Sequence, residues 1–133
     1  MKRKESAVLV VDDDTAIRET LVTLFREESY VTYEAPDGMS ALERMRTSPH
    51  RLVVLLDWRM PGLDGIQVLE ALVDDAPIAR RHAFIMMTAE ADEPPLDVAR
   101  VPPGLHVDVF KKPFDFDELL AAVEEKGHAL AAT

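Results

Sequence analysis

No cysteine occurs among the 133 residues, which removes both disulfides and thiol chemistry. No apolar run is long enough to span a bilayer. The stretch behind the first residues, "AVLVV", is too short for the core of a signal peptide and runs straight into "DDD". The expected location is therefore cytoplasmic. Positive charge is scarce: 15 Lys plus Arg stand against 25 Asp plus Glu, a net charge of -10. Such a surface repels phosphate backbones and argues against direct nucleic-acid binding. The one basic cluster, "MKRK" at the start, reads as a solvated terminus. Internal repeats and low-complexity linkers are missing too. The histidines at 50, 82, 106 and 128 lack metal-ligand spacing and read as surface or satisfied core side chains.

What is present suits one compact domain. The hydrophobic fraction of 47% supports a real core in a chain of this length. A single domain is expected over 1–133, with a core of about 6–128, flexible tails and no second output-type domain in the chain. Apolar runs alternate with helical spacing. "AVLVV" (7–11), "YVTYEA" (30–35), "LVVLLD" (52–57), "AFIMMT" (83–88) and "LHVDVF" (105–110) read as strands. Between them, Ile17, Leu21, Leu24 and Phe25 fall on one helical face, as do Met39, Ala41, Leu42 and Met45. Ile66, Leu69 and Leu72 mark a third helix that Pro77 ends or closely follows. Leu119, Leu120 and Val123 mark a last one from about Asp115. The fourth helical slot, "EPPLDVARVPPG", has room for only a turn or two because of its prolines. The pattern predicts an α/β doubly wound, five-stranded parallel sheet with helices on both faces and a short or irregular fourth helix.

In such a sheet, chemistry gathers at the carboxyl ends of the strands. Those ends carry Asp12, Asp13 and Asp14 after strand one, Asp57 closing strand three, Thr88 closing strand four, and Lys111 and Lys112 after strand five. Carboxylates brought together cannot all stay ionised without compensation. A hard, oxygen-seeking dication resolves the conflict, and Mg²⁺ suits a site with few protein ligands. With a lysine and a hydroxyl beside it, Asp57 is placed to act as a nucleophile toward a phosphoryl group.

Several of these residues have plainer readings. Asp14 or Thr15 caps the first helix, which leaves Asp12 and Asp13 for other work. Asp64 reads as a turn residue before Gly65, and Asp74 and Asp75 as an exposed helix end. Met86 and Met87 are core filler. Strand alternation lets only one of Lys111 and Lys112 face the site.

The set "VLVVDDD", "LLDWRMPGLDG", "IMMTA" and "FKKPF" resembles, in order and spacing, the receiver domain of two-component response regulators over nearly the whole chain. The resemblance implies the CheY-like (flavodoxin-like) strand order 2-1-3-4-5. It implies phosphoryl acceptance on Asp57 from a sensor histidine kinase or phosphotransfer protein, and a conformational switch that signals to a downstream protein target, with homodimerisation an option. By the same resemblance Asp13 and Asp57 bind Mg²⁺ directly, Asp12 acts largely through water, and the backbone carbonyl of Arg59 completes the ligands. Thr88 hydrogen-bonds a phosphoryl oxygen and Lys112, just before Pro113, pairs with the phosphorylated carboxylate. Arg59 and Glu90, two residues beyond Asp57 and Thr88, flank the path of the hydrolytic water and are expected to pair and slow it. The family's switch position, usually Tyr or Phe, is Val109 here, with Phe110 on the opposite side of the strand. The expectation is intact phosphorylation chemistry with unusual output coupling.

Three alternatives compete. A haloacid dehalogenase-type phosphohydrolase needs D-x-D-x-T, and "DDDTA" puts Ala16 at the threonine. A flavin protein of this topology needs a hydroxyl- and glycine-rich phosphate loop, where three aspartates stand. An unphosphorylated pseudo-receiver, acting as an interaction module alone, is the third. The reading is a signalling module with self-phosphorylation and autodephosphorylation only, not an enzyme for a foreign substrate.

Overall fold

The computed structural model describes residues 6–89 and 91–132, so the "MKRK" cluster and Glu90 lie outside the described residues. Five strands, β1 (Ala7–Val11), β2 (Thr32–Ala35), β3 (Leu52–Asp57), β4 (Ala83–Ala89) and β5 (Val107–Lys112), form one parallel sheet in the order 2-1-3-4-5. Helices cover both faces. α1 (Thr15–Glu27) and α5 (Phe116–Ala131) bury Leu21, Val22, Phe25, Leu119 and Val123 against Val8, Val10, Val53, Leu55, Ile85 and Met87. α2 (Gly38–Thr47) and α3 (Gly65–Val73) bury Ala41, Leu42, Met45, Ile66 and Leu69 against Leu9, Val11, Val54, Leu56 and Met86 on the other face. β1 and β3 are buried along their whole length, which is why they read as unbroken apolar runs rather than as alternation.

Aspartates start the helices. Asp14, Asp37 and Asp115 accept backbone N–H groups of Ile17, Ser40 and Asp117. Asp64, expected as a turn residue, caps α3: its carboxylate accepts from Gln67 N while the Gln67 side chain accepts from Asp64 N, a reciprocal box.

Several boundaries differ from expectation, and β4 runs one residue further than expected, to Ala89. β2 begins at Thr32, because Tyr30 turns into the α1-side core instead of pairing. β5 covers 107–112 rather than 105–110; Pro113, which has no N–H to give a ladder, sets its end. Pro77 does follow α3, but it also lies in the first turn of a separate short helix, α4 (Ala76–Arg81), where a missing N–H costs nothing. The last helix runs to Ala131 and buries Leu130, two residues past the expected core limit of 128. The proline-rich crossover between β4 and β5 holds a single 3₁₀ turn, Val98–Arg100, as its prolines require. Ile17 is 36% exposed, so burial on α1 starts one turn later, at Leu21. Among the described residues no helix is long and apolar enough to cross a membrane.

Candidate functional site

Strand order reverses at β1: β2 lies on one side of it and β3 on the other. The carboxyl ends of β1 and β3 therefore open a crevice that no crossover fills. Asp12 follows β1 directly, and its N–H still bonds to Ala35 O at 3.2 Å. Asp57 is the last residue of β3 and pairs in register with Met87. Asp12 is only 1% exposed and Asp57 9%, whereas Asp13 is exposed. One carboxylate oxygen from each of Asp12, Asp13 and Asp57 falls within 4.8 Å of the others.

Lys112, at the end of β5, reaches across β4 into this cluster. Its Nζ lies 3.2 Å from Asp57 Oδ1 and 3.4 Å from Asp12 Oδ2. Lys111 is exposed, and of the two lysines it is Lys112 that reaches the acidic cluster. Asp12 Oδ1 accepts the Asp14 N–H at 2.9 Å. Burial first, and then the charge of Asp12, push the Asp57 carboxyl up to about 6; Lys112 pulls it down and Asp13 adds to the rise. Burial works to lower the Lys112 ammonium, yet Asp57 and Asp12 hold it above its usual value. One cation thus faces three carboxylates, and the charge is not balanced by protein alone. This donor set of hard oxygens, with an excess of negative charge, fits a small hard dication.

Thr88 is buried on β4, one position beyond Met87, the register partner of Asp57, so its strand delivers it to the same rim. Val109 packs on the α2–α3 face. Phe110 turns to the α5 face, its ring 6.4 Å from that of Phe114. The side chain of Arg59 points toward the crossover: it stacks on the Trp58 ring at 3.7 Å and donates to the carbonyls of Glu93 and Pro94. The partner expected for it, Glu90, lies outside the described residues.

One site residue escaped the sequence reading. Arg18 on α1 donates to the Asp12 carbonyl at 2.8 Å and to Glu34 at 3.0 Å, fixing the backbone beneath the acidic cluster. Its only local signal is its place one turn after the Asp14 cap.

A parallel sheet with order 2-1-3-4-5 and an acid-lysine cluster at its switch point defines a CheY-like architecture. The response regulator receiver domain model matches residues 8–124, and the chain belongs to that family. The chain is 36% identical over 119 residues to sporulation initiation phosphotransferase F of Bacillus subtilis, covering 89% of this chain and 90% of that protein. It is 34% identical over 126 residues to the DNA-binding response regulator MtrA of Mycobacterium tuberculosis, covering 95% of this chain but 52% of the relative. The chain thus spans nearly all of the first relative and about half of the second. Among solved structures, the receiver domain of the Francisella response regulator 1452 superposes with a TM-score of 0.77 at 32% identity, over 93% of this chain and 98% of that one. The protein is a two-component signalling module, a response regulator receiver domain.

Proposed function

We propose that Asp57 is the phosphoacceptor and that a sensor histidine kinase or phosphotransfer protein donates to it. The observation that carries this reading is the position of Asp57: a rigid strand end, 3.2 Å from Lys112 and inside the Asp12–Asp13 cluster. In the transfer, an Asp57 carboxylate oxygen forms a bond to phosphorus as the bond to the donor imidazole breaks. The electron pair goes to the departing nitrogen, and the imidazole leaves neutral with its proton on the other ring nitrogen. Asp12, Asp13, Asp57 and the backbone carbonyl of Arg59 would hold Mg²⁺. The ion supplies charge neutralisation on the phosphoryl oxygens. Lys112 offers its ammonium to the phosphorylated carboxylate, and Thr88 its hydroxyl to a phosphoryl oxygen. Hydrolysis of the acyl phosphate resets the domain, and no foreign substrate turns over. The added dianion shifts an existing two-state equilibrium read by a downstream protein, with a homodimer one form of output. A cytoplasmic location accords with a kinase-fed module.

Intact-mass spectrometry after acetyl phosphate and Mg²⁺ tests the proposal. Wild type should gain one base-labile phosphoryl mass that Asp57→Asn and metal chelation both abolish. No gain in folded wild type overturns it.

A further inference from the structure

We propose that the Arg59 side chain straps the phosphoacceptor strand to the β4–β5 crossover, and that a phosphoryl group on Asp57 releases the strap by drawing the guanidinium to itself. The inference rests on the phosphoacceptor reading of Asp57 and concerns how that site is coupled to the rest of the fold.

The anchor of the strap is rigid. Trp58 N donates to Met87 O at 3.0 Å, Trp58 O accepts from Gly65 N at 2.8 Å, and the indole is fully buried. Backbone movement at 58 would break both bonds, so the freedom in this segment belongs to the Arg59 side chain. Its guanidinium lies on the Trp58 ring at 3.7 Å, and a single nitrogen, Nη2, serves both Glu93 O at 2.9 Å and Pro94 O at 3.0 Å.

The partners are mismatched in charge. Among the described residues Arg59 has no carboxylate partner, although the chain carries ten more negative than positive charges. A full cation here holds two neutral carbonyls through one shared nitrogen. Hydrogen bonds between ionised partners are roughly twice as strong as neutral ones, and the planar fork of Arg matches a phosphoryl group bidentately. A dianion formed two residues upstream is therefore the better partner.

The far end has little else to hold it. Glu93 and Pro94 are exposed, and the bonds of Asp92 are local ones to Ala89. Among the described residues, the side-chain hydrogen bonds tying Glu93 and Pro94 to another element come from Arg59. Losing them frees Glu93 and Pro94, just ahead of Leu96, which packs on the α2–α3 core, and of the Val98–Arg100 turn, where Val98 is 66% exposed. A residue reached by the dianion and bonded to the crossover thus links site to surface without an aromatic side chain on the Val109 face of β5.

The chain has a single tryptophan, which lies directly under the guanidinium and reports on it. Beryllofluoride with Mg²⁺ is the phosphoryl probe, and ¹⁹F NMR shows independently whether it is bound. On binding to wild type, Trp58 emission should change beyond the effect of Mg²⁺ alone, and the Glu93 and Pro94 carbonyl ¹³C resonances should move upfield as they lose their donor. In Arg59→Ala those carbonyls should already be upfield, and bound beryllofluoride should move neither them nor the emission further. Bound fluoride in wild type with unmoved carbonyls overturns the strap while sparing the phosphoacceptor reading, as does an Arg59→Ala response equal to wild type. Absence of bound fluoride overturns the phosphoacceptor reading, and the strap with it.

Discussion

Lys112 and Asp57 meet at 3.2 Å although their strands are not neighbours; β4 runs between them and the ammonium crosses its end. The lysine is the cation that two nearly buried carboxylates share. In metal-free buffer, Lys112→Met should lower stability by about 1–3 kcal/mol, since it leaves buried charge uncompensated; partial exposure keeps the loss below that of a fully buried pair. Mg²⁺ should then restore more stability to the variant than to wild type, because it no longer competes with the ammonium. Urea unfolding with and without Mg²⁺ measures both. An equal Mg²⁺ increment in the two proteins would contradict this.

Asp57 itself destabilises the metal-free fold. Its carboxyl, pushed up to about 6, binds protons more tightly folded than unfolded, so stability falls as pH rises from about 4 to about 6 and stays at its lower level above. Asp57→Asn should remove that slope and gain on the order of 2 kcal/mol at pH 7.5 without metal. Parallel pH–stability curves for the two proteins would refute the assignment.

Gly65 sits where the site cannot yield. A Cβ there would lie 2.8 Å from Met86 Sδ and 2.9 Å from the Asp57 carbonyl oxygen. Sulfur can swing away, but the backbone at the tip of β3 cannot. Gly65→Ala should cost roughly 1–3 kcal/mol by overpacking and displace Asp57. Acetyl phosphate labelling should slow in the variant even under conditions where it is fully folded by circular dichroism.

His82 is a satisfied core histidine at the opposite edge. Its Nδ1 accepts Leu52 N at 3.0 Å and its Nε2 lies 3.0 Å from the Met45 carbonyl, which specifies the neutral ring with the proton on Nε2. Burial, and to a lesser degree Arg81, lower its pKa. The unfolded chain then binds a proton that the native state refuses, so stability falls as pH drops below about 6.5. His82→Leu should cost about 2–4 kcal/mol at pH 8 by orphaning two buried backbone groups, and the gap to wild type should narrow toward pH 5. Denaturant melts at the two pH values decide it.

Periodicity and strand-end chemistry made the sheet, its helices and most of the acid-lysine cluster legible in advance. β1 and β3 are unbroken apolar runs because both faces are covered, and Asp12 and Asp57 stand where those runs stop, with Thr88 near the end of β4 and Lys112 closing β5. What stayed hidden was decided elsewhere in the chain. The limits of β5 follow from Pro113 and from pairing with β4, which carries two lysines into a strand that hydropathy alone would end earlier. Ile17 lies on the correct helical stripe but one turn short of where burial begins. Arg18 bridges the Asp12 carbonyl to Glu34, and Arg59 reaches the carbonyls of Glu93 and Pro94, and no spacing rule encodes such long side-chain reaches.

The aspartate caps have a larger electrical effect than their number suggests. Asp14, Asp37, Asp64 and Asp115 each begin a helix that follows a strand, so in an all-parallel sheet they crowd the same rim as Asp12, Asp13 and Asp57. Arg44 and Arg46 close α2, Arg80 and Arg81 close α4, and Arg51 precedes β3, all toward the other rim. The caps thus add negative charge to the rim where phosphoryl transfer is proposed, so a basic surface is drawn to that rim over a range of roughly 8 Å at physiological salt.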